Sequence, residues 1–157
     1  MKRLVIKVGT AVLTQDGQLA IERMENLVDL IAKLKNEKNL EVILVSSGAV
    51  GAGFTSLKLD KKILANKQAL AAIGQPLLLK HYKKRFKEHN ITCAQMLFIA
   101  DDFDSRKRTK NAQNVMEILL ENKILPIINE NDVIATDELV FGDNDQLAAH
   151  VAYYFNA

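Results

Sequence analysis

The sequence predicts an α/β fold, a mostly parallel sheet sandwiched by helices, on three observations. Short β-rich runs that are apolar on both faces recur at 3–8 (RLVIKV), 41–47 (EVILVSS), 92–98 (TCAQMLF) and 124–129 (ILPIIN). Segments with the 3.6-residue period of amphipathic helices separate them, the pattern of parallel strands joined by crossover helices. The 157 residues, 48% of them hydrophobic, suffice for one compact domain but not comfortably two. No internal repeat, low-complexity tract or domain boundary interrupts the pattern.

Each element has its own reason. RLVIKV, closed by Gly9, reads as a buried strand, and residues 10–19, with Gln, Asp and Gly, read as a turn. From Ile21 to about Lys38, apolar residues at 21, 24, 27, 28, 31 and 34 lie on one helical face. EVILVSS is a second buried strand, followed at once by GAVGAG. Residues 61–90 are helical in pattern, with an expected break or kink at Gly74-Gln75-Pro76, because proline lacks an N–H and its ring clashes with the preceding turn. A strand at 92–98 then precedes a helix at about 105–122, with Asp101, Asp102 and Asp104 placed to cap it. After the strand at 124–129 come a polar loop, a short extended piece at 139–141 (LVF), and a last helix from about 144, for which Asp143 or Asn144 is the candidate N-cap.

Composition excludes several classes. The longest apolar runs are far too short to cross a bilayer, and Lys7 interrupts the start too early for a signal peptide. A single cysteine, Cys93, excludes an internal disulfide and fits a reducing compartment, so a cytoplasmic protein is expected. The net charge of +2 hides an asymmetry: residues 1–123 carry all 21 lysines and arginines, whereas residues 124–157 carry six acids and no lysine or arginine. The densest basic cluster, 80–89, reads as the polar end of an amphipathic helix, and the RKRTK run at 106–110 lacks interleaved aromatics, so nucleic acid is not an expected partner.

Ligands of open parallel sheets bind beyond the carboxyl ends of the strands, which ranks four segments: KVGT, SSGAVGAG, INENDVIAT and FGDND. SSGAVGAG leads from a strand into a helix N-terminus, a place that attracts anions, although a closely packed plain turn has the same form. It is neither a Walker loop nor a dinucleotide fingerprint nor a serine nucleophile elbow. Lys7, inside an apolar strand and two residues before Gly9, must snorkel to water or meet an anion, and phosphate is the favoured one. INEND and GDND place Asn129, Glu130, Asn131, Asp132, Asp143, Asn144 and Asp145 at two element ends. Such a set can cap helices, grip an ammonium group, order a lysine or hold a divalent ion. The loop is not an EF-hand, and the three histidines have no metal or triad spacing. Cys93 reads as a small core residue.

Taken in order, KVGT at 7–10, SSGAVGAG at 46–53, INEND at 128–132 and FGDND at 141–145 resemble the glutamate 5-kinases of the amino-acid kinase family. KQALAAIGQ at 67–75, AQML at 94–97 and the RxxxxNA pattern at 106–112 agree, so the resemblance covers essentially the whole chain. It implies transfer of the γ-phosphoryl group of ATP, with Mg2+ carried on the nucleotide, to the side chain of L-glutamate. Carried over by motif, Lys7 resembles the lysine that neutralises the transferring phosphate, with Gly9 and Thr10 as backbone donors to it. Ser47, Asp132 and Asn144 match glutamate-binding positions, Gly48 and Asn129 line the same pocket, and Asp145 resembles the aspartate that organises catalytic lysines. No metal ligand is assigned. The resemblance further implies a homo-oligomer and feedback inhibition by proline, which leaves a C-terminal RNA-binding-like domain of some members unassessed. It also implies that residues 1–157 are the amino-terminal, glutamate-binding part of the kinase domain, that the nucleotide-binding half lies outside them, and that this piece alone is inactive. Kinases of the family acting on acetylglutamate, aspartate, carbamate or nucleoside monophosphates, and a non-catalytic amino-acid-binding module, are the competing readings.

Overall fold

The computed structural model describes residues 2–135 and 144–157. The extended piece expected at 139–141 and the candidate cap Asp143 lie outside the described residues. Strands β1 (Arg3–Val8), β4 (Glu41–Ser46), β5 (Cys93–Phe98) and β6 (Leu125–Glu130) form a parallel sheet in the order β1-β4-β6-β5. The central strands β4 and β6 are almost wholly buried, whereas β1 and β5, at the edges, are only partly so. That is why EVILVS and LPIINE read as near-continuous apolar runs.

Between β1 and β4 lie α1 (Thr10–Leu13), the two-residue strands β2 (Thr14–Gln15) and β3 (Gln18–Leu19), and α2 (Ile21–Asn36). The expected turn at 10–19 is therefore a short helix followed by a tight hairpin, closed at Asp16 and Gly17, both with positive φ. Helices α3 (Ala49–Ser56) and α4 (Leu64–Glu88) connect β4 to β5, and α5 (Ala100–Asp104) and α6 (Arg106–Glu121) connect β5 to β6. The last helix is α7 (Asp145–Tyr154).

The chain steps in one direction from β1 to β4 to β5, then reverses to insert β6 between β4 and β5. Right-handed crossovers require a reversal to change face, and the core divides accordingly. Val42, Leu44 and Ile127 pack on one face with Met24, Val28, Leu78, Tyr82 and Phe86 of α2 and α4. Ile43, Val45 and Ile128 pack on the other with Met116 and Leu120 of α6 and Leu147 and Val151 of α7. On the edge strand, Arg3 bridges Glu41 at 2.9 Å and Glu117 of α6 at 2.8 Å.

Two local expectations are corrected. α4 runs unbroken through Pro76. Pro76 and Ala72, whose carbonyl loses its usual partner, are both solvent-exposed, so water can satisfy what the proline leaves open. The acids at 101–104 do not cap the helix at 105 but form α5, where Asp102 accepts the N–H of Ile99 at 2.8 Å. Ser105 caps α6 instead, its hydroxyl accepting the N–H of Arg108 at 3.4 Å. The basic end of α4 is as expected, with Tyr82 and Phe86 buried and Lys83, Lys84 and Lys87 exposed.

α3 and α4 touch backbone to backbone. A Cβ on Gly53 would lie 1.9 Å from the carbonyl oxygen of Leu70, and one on Gly74 would lie 1.7 Å from that of Ala49. The glycines in GAVGAG and AAIGQ thus bring α4 against the segment that leaves β4.

Candidate functional site

All four strands of the sheet end on one edge, and the candidate residues gather there. β4 ends at Ser46, whose hydroxyl bonds the buried Tyr82 hydroxyl at 2.9 Å, fixing the strand end to α4. Burial raises the Tyr82 phenol far above its ordinary range, against the opposing effect of that bond. The chain then turns at Gly48, whose φ of 104° is a left-handed conformation few other residues adopt, and enters α3. The expected strand, turn and helix N-terminus are present, so the first N–H groups of α3 open onto the site.

Asn144 occupies the N-cap position of α7 but does not cap it. Its backbone is left-handed, with φ 67°, and its side chain turns inward. The amide nitrogen donates to Ser47 Oγ at 3.0 Å and Asn129 Oδ1 at 2.8 Å, with a longer contact to the Ser46 carbonyl at 3.3 Å. With both N–H donors committed, Asn144 can offer a ligand only its carbonyl oxygen, an acceptor. Ser47, Asn129 and Asn144 are all buried, so this polar set is pre-organised in a low-dielectric place.

A cleft of about 350 Å³ lies above this network. Thr10, Ser47, Gly48, Asn129, Asp132 and Asn144 line it, so six of the nine sequence-derived site residues meet in one cavity. Its wall is charged on both signs, with Glu130 and Asp132 on one side of the account and Lys61 and Lys67 on the other. Burial pushes the Asp132 carboxyl above its ordinary range, partly offset by the Lys67 ammonium.

Lys7, Gly9 and Asp145 do not line that cavity. Lys7 pairs in register with Val45, on the α7 face of the sheet, and its Nζ meets Asp145 Oδ1 at 2.7 Å. Asp145 follows Asn144, so one residue enters the cleft while its neighbour pairs with the Lys7 ammonium. An exposed pair of this kind adds little stability, since the Asp145 side chain is 75% exposed. Gly9 caps α1 through its carbonyl, which accepts the N–H groups of Val12 and Leu13 at 3.2 and 3.3 Å.

The amino acid kinase family model matches residues 2–157. The chain belongs to the amino acid kinase family. Curated proteins named glutamate 5-kinase are its relatives: that of Wolinella succinogenes is 58% identical, over the whole chain and 61% of that protein. Those of Leishmania donovani and Helicobacter hepaticus are 53% and 50% identical, over 100% and 99% of this chain and 59% and 58% of theirs. The chain thus spans about three fifths of the length of the relatives it matches.

In this member of the family, sequence reasoning gave no role to Lys67 and Gln75. Both stand in KQALAAIGQ, each about one helical turn from the buried Ala71. The signal was available: small residues at 71 and 74 mark the face of close approach, and these polar residues flank it. Lys61 and Thr14, also at the cleft, carry no pattern of their own. Among the described residues no helix is long and apolar enough to cross a membrane. Nor do three or more His, Cys, Asp or Glu gather as a metal site among them.

Proposed function

We propose that residues 1–157 are the glutamate-binding part of a kinase that transfers the γ-phosphoryl group of MgATP to the side-chain carboxylate of L-glutamate. The product would be L-glutamyl 5-phosphate, the first intermediate of proline biosynthesis. The observation that carries this reading is the cleft at the strand ends, where Ser47, Asn129, Asp132 and Asn144 converge beside the Lys7–Asp145 pair. A zwitterionic amino acid suits it: Asp132 and the Asn144 carbonyl can accept from an ammonium, while Lys67 and the N–H groups at the start of α3 suit carboxylate.

The reaction asks little more of the protein. A glutamate side chain, with a pKa of about 4.3, is already ionised at neutral pH and needs no general base. What remains is alignment and compensation of the charge gathered when a carboxylate meets a phosphate. Lys7 is the group for that compensation, its ammonium paired with Asp145 at 2.7 Å. Gly9 and Thr10, leaving β1 beside Lys7, would lend backbone N–H groups to the same phosphate. The nucleotide, when bound, supplies the phosphoryl group and carries Mg2+ on its phosphates. Proline, with the same ammonium and carboxylate, would compete in the same cleft. Assembly as a homo-oligomer and a cytoplasmic site of action complete the reading.

The test uses the full natural polypeptide. Calorimetric titration with L-glutamate, L-aspartate, N-acetyl-L-glutamate and UMP, then MgATP-dependent hydroxamate formation with hydroxylamine, should single out L-glutamate in both assays. Preference for N-acetyl-L-glutamate or UMP would refute the substrate assignment. Glutamate binding with no hydroxamate would leave a binding module in place of a kinase.

A further inference from the structure

The amide network below the cleft continues away from it. Asn129 Nδ2 donates to Gln75 Oε1 at 2.8 Å, and Gln75 Nε2 donates to Gln95 Oε1 at 3.0 Å. Asn129 Oδ1 accepts the main-chain N–H of Glu130 at 2.8 Å, as well as the Asn144 amide. A main-chain N–H can only donate, so the atom facing it must be the Asn129 oxygen. The Asn129 nitrogen then faces Gln75 and requires an acceptor there. One polarity therefore runs from Gln95 through Gln75 and Asn129 to Asn144, and its end is the Asn144 carbonyl offered to the cleft.

We infer that Gln75 of α4 is a positioning residue for the amino-acid substrate: the Glu130 N–H sets which way the Asn129 amide faces, and Gln75 anchors that amide in place beneath Asn144, whose carbonyl oxygen is left for the substrate ammonium. Gln75 itself is not among the residues lining the substrate cleft. If its acceptor is lost, Asn129 Nδ2 is left in a part-buried place without that partner, and the amide must shift to reach water or another acceptor. A displaced Asn129 draws its Oδ1 away from the Asn144 amide, and the end of the network is held less firmly over the cleft. This inference rests on the proposed glutamate site.

The experiment compares three variants with the wild type in the full natural polypeptide. Gln75→Met removes the acceptor at similar volume, Gln75→Glu keeps an acceptor toward Asn129, and Gln95→Met removes only the outer partner. Losing one hydrogen bond predicts a rise of about 3- to 10-fold in the glutamate Kd and KM for Gln75→Met. The KM for MgATP and kcat should stay within about twofold, because Lys7 and Asp145 are untouched. Gln75→Glu and Gln95→Met should stay near wild type for glutamate. A general packing role would instead lower the melting temperature and kcat of all three together. Unchanged glutamate affinity in Gln75→Met, or an equal loss in Gln75→Glu, overturns the inference while leaving the site standing. A wild type that does not bind glutamate removes the site itself.

Discussion

Replacing Gly74 by alanine tests how the fold builds the site. Helix propensity alone favours the change by about 1 kcal/mol, because glycine is among the poorest residues inside a helix. The structure reverses that sign. The new Cβ would sit 1.7 Å from the Ala49 carbonyl oxygen and 2.4 Å from the Gly53 nitrogen. Both are backbone atoms, so no side chain can step aside. Reaching an ordinary carbon–oxygen distance requires the two helices to part by roughly 1.5 Å. Overpacking of this kind costs about 3 kcal/mol, the upper end of its usual range, leaving a net loss of about 2 kcal/mol after the propensity gain. For a chain of this size that lowers the melting temperature by about 4–8 °C. Ala49 opens α3 directly after Ser47 and Gly48, so the same shift draws Ser47 from Asn144 and should weaken glutamate binding about tenfold or more. Thermal unfolding followed by circular dichroism, with glutamate titration by calorimetry, measures both. Ala72→Gly, at an exposed position of the same helix, should lose only about 1 kcal/mol and keep its glutamate affinity. A Gly74→Ala protein as stable as the wild type, or more so, would refute the close approach and the account of how α4 reaches the site.

Three further outcomes are expected. Lys7→Ala should lower kcat by about 10²–10³-fold, the usual loss when one charge-stabilising group is removed, with little change in the glutamate KM; a steady-state analysis in which only the KM moves would remove Lys7 from phosphoryl transfer. Asp132 has a folded-state pKa raised by burial, so the stability it contributes is full below its unfolded pKa and is lost as pH rises through the raised value. Asp132→Asn should therefore melt no lower than wild type at neutral pH, with any advantage vanishing in acid, yet lose the stabilisation that glutamate confers; calorimetric scans across pH showing a less stable mutant at pH 7 would contradict this. Burial pushes the Cys93 thiol up to about 12, so its reaction with a maleimide at pH 8 should be at least about 100-fold slower in the native protein than after unfolding in urea. Native labelling as fast as unfolded labelling would show the thiol to be reachable and ionisable.

The fold was legible because burial writes itself into residue type. Strands covered on both faces must be apolar along their covered length, and VILV of β4 and LPII of β6 are; helices covered on one face show the 3.6-residue period, as α2 does. Pro76 does not end α4, because the rule for proline concerns an interior hydrogen bond, whereas here Ala72 and Pro76 are exposed and water can reach what the proline leaves open; exposure is not written in a local pattern. The acids at 101–104 misled because capping depends on where the chain bends, one residue later than they suggest.

The site divides in the same way. Which residue types take part followed from the motifs: a lysine before a glycine, a turn of small residues after a strand, and two Asn/Asp clusters, together resembling the glutamate 5-kinases. The sequence could name Asn144 as a helix cap or a ligand; only the folded chain chose, by turning its amide onto Ser47 and Asn129, which are 97 and 15 residues away. Likewise the division of labour between consecutive residues, Asn144 in the cleft and Asp145 on Lys7, depends on the left-handed turn that begins α7. Gln75 was visible only as part of a matching string. Its bond to Asn129 spans 54 residues and exists because two glycines let α4 lie against the start of α3. Local chemistry determines what each residue can do, and even which way the Asn129 amide faces, through the N–H of the next residue; the network itself joins distant parts of the chain, and its bonds exist only once the helices have packed.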